Sequence, residues 1–211
     1  MPGKPIVFTA DRTVMTDYRG NLYVGFAANL PYEYMPNRLA NWLFFPRIPD
    51  NPDGTVRYAL TGLRRLESAC INNGFPRNDI VTVNPDMVER FIGEETKVVG
   101  ISVIDPLGLG PASTTFCSLL GGTPRTFVEF KRLMDKIKKL KHKYRFKVVV
   151  GGPGTWQLLP DPVREKFGID YLFMGEGEVS FPAFLEAIMN GDSYVENGVY
   201  RGKPPKPSEI P

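Results

Sequence analysis

Residues able to hold a ligand stand in this chain where apolar runs stop. Val148-Val149-Val150 ends in Gly151-Gly152-Pro153, and Leu172-Phe173-Met174 ends in Gly175-Glu176-Gly177-Glu178. Two adjacent glycines remove two side chains, so a flat ligand or a phosphate can lie against bare backbone. The same pair is also the ordinary composition of a tight strand-to-helix turn. Ile6-Val7-Phe8 is followed by Thr9 and Asp11, and the run from Val98 carries Ser102 and leads to Ile104, Asp105, Ser113 and Thr114. Hydroxyls and carboxylates in such loops bond either a bound molecule or their own backbone.

Familiar phosphate motifs are missing. No G-x-x-x-x-G-K-[ST] occurs, which excludes a P-loop. A dinucleotide fingerprint is approached only at Gly108-Leu109-Gly110-Pro111-Ala112-Ser113. That stretch is one glycine short, follows the wrong strand and has a proline where a helix should start. Flavin mononucleotide would need a Ser- and Thr-rich loop after the first strand, of which Thr9-Ala10-Asp11-Arg12-Thr13 is a weak version. Cys70 and Cys117 are too few for a disulfide framework or a cysteine-rich metal site. The single histidine, His142, falls among lysines that read as the solvated face of a helix. No aromatic platform accompanies that basic stretch, so it does not read as a nucleic-acid surface.

The elements that carry these loops follow from hydrophobic periodicity. Ile6–Thr9, 79–83, 97–104, 146–150 and 169–174 read as strands, the later ones buried on both faces. Helical patterns alternate with them: Val56 to Cys70, Pro85 to Phe91, Phe127 to Leu140, a short one from Asp161, and Phe181 to Ile188. Alternation of this kind predicts an α/β fold, a flavodoxin-like (Rossmann-type) doubly wound sheet of five parallel strands in the order 2-1-3-4-5. Ligands bind such sheets beyond the carboxyl ends of the strands, near the switch point. The expected site therefore combines residues 9–15, 102–115, 151–155 and 175–178.

Residues 11–55 form an aromatic-rich insertion after the first strand, with Leu22 to Ala27 as an extra strand or arm. Its aromatic content suits either a private mini-core or a partner surface. The expected domain spans 1–195, and the proline-rich tail 196–211 reads as a linker. At 211 residues, 42% hydrophobic and net charge +3, the chain suits one globular domain with a real core. It has no apolar run of about 18 residues and no signal-peptide core, so a cytoplasmic location is expected.

Val-Val-Val-Gly-Gly-Pro at 148–153, Ile-Asp-Tyr-Leu-Phe-Met-Gly-Glu-Gly-Glu at 169–178 and the Phe-rich helix after it resemble the vitamin B12-binding domain of B12-dependent radical SAM enzymes. Gly100-Ile101-Ser102-Val103-Ile104 is similar to that domain's third strand. The resemblance covers residues 75 to 192 well and the first 60 loosely. It implies a cobalamin bound base-off, its nucleotide tail inserted along the sheet. Ser102 would bond the tail, Gly151 and Gly152 would leave room for its base, and Gly175 and Gly177 would let the chain pass close. The cobalt-ligating Asp-x-His-x-x-Gly motif is absent, which excludes a histidine lower ligand. Cys-x-x-x-Cys-x-x-Cys is absent too, so this chain cannot build the 4Fe-4S cluster that cleaves S-adenosylmethionine. The resemblance implies a binding module, with no catalytic residue of its own, partnered by a radical SAM domain. A flavin-binding protein on the same fold and a ligand-free docking domain are the rival expectations.

Overall fold

The computed structural model describes residues 2–191, 196–204 and 206. Six parallel strands form one sheet: β1 (Ile6–Ala10), β2 (Ile80–Thr82), β3 (Val98–Ser102), β4 (Lys147–Gly151), β5 (Tyr171–Met174) and β6 (Val199–Arg201). Their order is β2-β1-β3-β4-β5-β6, the expected arrangement with one strand added at the edge. The expectation of five strands and a linker from residue 196 is thereby corrected. Val199-Tyr200-Arg201 pairs with Leu172-Phe173-Met174, and Tyr200 stacks on Phe173 at 5.1 Å. Pairing and stacking, rather than local propensity, make that stretch a strand. The remainder of the expected linker, Pro205 and 207–211, lies outside the described residues.

Helices cover both faces. α2 (Thr61–Asn72) and α7 (Phe181–Asn190) pack together on one. α3 (Val88–Phe91), α5 (Arg125–Lys143) and α6 (Asp161–Phe167) cover the other. Strand side chains alternate between the faces. Val148 and Val150 therefore meet Phe130, Leu133, Met134 and Ile137 of α5, while Val149 faces Phe181, Phe184 and Leu185 of α7. Each such side chain contributes about 1.5–3 kcal/mol on full burial, which fixes the register of the whole sheet. No helix among the described residues is long and apolar enough to cross a membrane.

The helical pattern expected from Val56 begins only at Thr61. Val56 is buried but extended, its N–H bonded to the Thr82 carbonyl. Residues 111–120, to which the sequence pattern assigns no helix, form α4 (Pro111–Leu120). Proline stands at its first position, where no backbone N–H is needed.

The insertion is folded, with α1 (Asn37–Leu43) and several 3-10 turns; Leu22–Asn29 is one of these rather than a strand. It packs over α4 and α5. Arg125, 2% exposed, ties it down, donating to Asn37 Oδ1 and to the Tyr32 and Met35 carbonyls. The Tyr32 ring lies between Arg125 and Arg132, 4.8 and 5.0 Å from their guanidinium carbons. Phe45 is wholly buried, whereas Tyr23, Tyr34 and Trp42 are 83%, 65% and 66% exposed. The insertion is thus part core and part surface.

A glycine-lined cavity at the carboxyl edge

The α2/α7 face of the sheet is hollow at its carboxyl end. The outermost row across β1, β3, β4 and β5 is Ala10, Ser102, Gly151 and Phe173. Three of these four side chains are small or absent, so the sheet recedes and leaves a cavity of about 330 Å³. That lies within the usual range of small-ligand sites, about 300–1,000 Å³. Phe8, Gly100, Val149 and Phe173 form its floor. Gly62, Leu63 and Leu66 of α2 and Phe181 of α7 form its walls, and Gly151-Gly152-Pro153 and 175–178 its rim.

The glycines do different jobs. A β-carbon on Gly151 would meet nothing nearer than the Phe173 carbonyl oxygen at 3.5 Å, and one on Gly62 nothing within 4 Å. Their missing side chains are cavity volume. Gly152 is glycine for a backbone reason: its φ is +105°, and a β-carbon would stand 2.5 Å from the Val103 carbonyl oxygen.

The polar groups here are few. Ser102 lines the cavity, and its hydroxyl has no hydrogen-bond partner among the described residues. Glu176 is exposed at the rim, and Glu178 lies 3.4 Å from Arg65. The rest of the lining is apolar and includes the Phe173–Phe181 pair, 5.2 Å apart.

The other expected site residues lie outside this cavity, and most face the opposite side of the sheet. Thr9 is buried and donates to the Val83 carbonyl at 2.9 Å. Asp11, also buried, accepts from the backbone N–H and hydroxyl of Thr13 at 2.9 and 2.6 Å. Burial pushes its carboxyl up to about 6; the bonds from Thr13 pull it down, and the Glu129 charge adds to the rise. Asp105 accepts from the Gly110 N–H, Gln157 Nε2 and the Ser113 hydroxyl at 2.9, 2.6 and 2.6 Å. This is a clamp that holds the start of α4 against the loop after β4. Thr114 donates back to the Gly110 and Pro111 carbonyls, and Ile104 is about half exposed. His142 is exposed near the end of α5, which leads into the start of β4, so it stands at the opposite end of the sheet.

Sequence reasoning omitted Gly62, Leu63 and Leu66 from the site, along with Phe8 and Gly100. Two signals were present: a glycine in the first turn of an amphipathic helix, and a glycine inside a buried strand. A β-carbon on Gly100 would stand 2.6 Å from the Phe8 ring, which takes its place.

Among the described residues no group of three or more His, Cys, Asp or Glu is arranged to hold a metal ion. No protein-family model, curated protein or solved structure gave a significant match to this chain. Fold and cavity together define a doubly wound parallel α/β domain with a ligand-sized hollow at the carboxyl edge of its sheet.

Proposed function

We propose that this chain is a cobalamin-binding module that holds its ligand base-off, the flat nucleotide base lying in the glycine-lined cavity. In this reading it serves a methyl transfer or related radical reaction of a radical SAM domain, which carries the 4Fe-4S cluster and S-adenosylmethionine. One observation carries the reading: missing side chains at Gly62 and Gly151 open an apolar slot, beside which the Ser102 hydroxyl has no hydrogen-bond partner among the described residues. Bound cobalamin supplies a cobalt centre able to accept and donate a methyl group. The residues of this chain bind and orient. Phe8, Leu66, Phe173 and Phe181 would take an aromatic base out of water, worth about 25 cal/mol per Å² of apolar surface. Ser102 would hydrogen-bond it. Glu176 and Glu178 at the rim would accept from neutral donors of the tail such as sugar hydroxyls and amides.

The buried Asp11 carboxylate, where a phosphate loop would follow β1, weighs against flavin mononucleotide. The exposed edge of the insertion (Leu22, Tyr23 and Phe26) is the apolar surface we assign to the radical SAM domain.

Titration with hydroxocobalamin, followed in the visible spectrum, tests the cavity. Gly151→Val keeps a strand conformation and puts a branched side chain into the slot. Overpacking of about 1–3 kcal/mol corresponds to roughly 5- to 150-fold weaker binding. His142→Ala should bind as the parent does. A folded Gly151→Val protein with undiminished corrinoid binding would move the site elsewhere, and saturable flavin mononucleotide binding would favour the rival ligand. Gly152 is the wrong residue to replace, because its positive φ confounds folding with binding.

A further inference from the structure

On the insertion, outside the cavity, four arginines converge. Arg12, Arg19, Arg38 and Arg47, with Asn41 and Trp42, line an open hollow of about 430 Å³ that shares no residue with the cavity above. We propose that this hollow binds the phosphate dianion of a small organic phosphate ester.

Charge bookkeeping supports an anion. Arg12 pairs with Asp86 at 3.0 Å, and Arg47 pairs with Asp50 and lies 3.9 Å from Asp86. Arg19 and Arg38 form no ion pair among the described residues, and Arg38 has no hydrogen-bond partner among them either. Four guanidinium groups therefore share two ion-paired carboxylates, with Asp17 bonded to the Arg19 backbone beside them, leaving a cationic excess. Guanidinium does not lose its proton in proteins, so the excess persists at every ordinary pH. Burial lowers the affinity of Arg12 for its proton, Asp86 opposes that, and the Arg47 charge adds to it, so the cations are close enough to repel.

The arginines are also held in place. Arg12 Nε donates to the Phe45 carbonyl at 2.9 Å. Arg19 donates to the Leu43 carbonyl at 3.2 Å and to that of Trp42, its guanidinium 5.4 Å from the indole centroid. Tyr18 and Arg19 both have left-handed φ, 51° and 54°. Neither is a residue type that visits this region readily, and such strain persists where surrounding structure enforces it.

The class of ligand follows from donor geometry. A planar carboxylate is satisfied by one or two guanidinium forks, whereas a tetrahedral dianion presents oxygens towards several. The hollow exceeds what inorganic phosphate needs, and Trp42 offers an apolar surface beside it. Asn41 also lines the hollow, its Oδ1 buried and without a partner among the described residues.

Calorimetric titration of the full chain with phenyl phosphate should give saturable binding, tighter than that of inorganic phosphate or benzoate. Arg19→Gln and Arg38→Gln should each weaken it about tenfold or more, the size of one lost charge-assisted bond. Lys139→Gln, on the exposed face of α5, should not. Arg38→Gln should keep the parent's thermal midpoint and its hydroxocobalamin titration, which separates this hollow from the cavity. The site is refuted by absent saturation, by benzoate binding as tightly, or by equal loss in Lys139→Gln. Displacement of phenyl phosphate by a single-stranded oligonucleotide whose own binding needs Lys139 would equally overturn it, as a diffuse basic surface.

Discussion

The two faces of the sheet end differently at the same carboxyl edge. On the α2/α7 side the strand ends carry Ala10, Ser102 and Gly151, and a hollow remains. On the α4/α5 side they lead into Thr9, Asp11, Asp105 and Ser113, whose polar groups are spent on their own chain. Loops rich in hydroxyls and carboxylates proved to be internal fastening. The ligand-sized space stands where side chains are missing. A polar residue in a loop has many ways to be satisfied at home, while an absent side chain inside an apolar wall has no structural use unless the backbone or a neighbouring side chain, as Phe8 at Gly100, needs the room.

The largest effect expected from this contrast is at the clamp. Asp105→Ala removes the acceptor of the Gly110 N–H, the Ser113 hydroxyl and Gln157 Nε2, of which the Ser113 hydroxyl keeps Asn29 Oδ1, and should cost about 3 kcal/mol in denaturant unfolding. Corrinoid binding by the folded protein should survive. Loss of binding without loss of stability would make the clamp a binding site and dissolve the contrast.

Asp11 comes next. Its folded value of about 6 lies above the ordinary 3.8, so the native protein takes up a proton between the two. Its stabilising share is complete below about 3.8, falls as pH rises to about 6, and is gone above. A shift of that size corresponds to about 3 kcal/mol at most. Asp11→Asn keeps the acceptor for Thr13 and should gain stability over the parent, on the order of 2 kcal/mol, above pH 6. The difference should vanish near pH 4. A gap constant with pH would show that the carboxyl ionises freely in the fold.

The smallest effect belongs to Gly62. Its β-carbon would meet nothing, so Gly62→Ala should stabilise α2 by about 0.5 kcal/mol while narrowing the slot and weakening hydroxocobalamin. Opposite signs for stability and binding are the signature of a glycine kept for space. Equal binding would place the ligand away from the α2 wall.

The strands were legible because Val98-Val99 and Val148-Val149-Val150 admit no other burial pattern, and the rim was legible as Gly-Gly and Gly-Glu-Gly-Glu. β6 was not, since three residues in a proline-rich tail become a strand only by pairing with β5. α4 was hidden because Pro111-Ala112-Ser113-Thr114-Thr115 has a loop's composition; the proline that suggested a break is the helix's first residue. The cavity walls were out of reach for another reason. Nothing local says that Leu66 and Phe181, far apart in the chain, face one another across the sheet. Topology alone brings α2 and α7 together.

Arg125 has a kinetic consequence. Its anchors in the insertion, at Asn37 and Tyr32, lie 88 and 93 residues earlier in the chain. Closing so long a loop is slow, and its entropy is lost before any contact repays it. The β1–β3 pairing of Ile6 with Val98 closes a loop of about the same length, so once the sheet has formed the insertion can dock on α5 at little further entropic cost. The exposed aromatic edge of the insertion should therefore exchange its amide hydrogens fast, and β3 and β4 slowly.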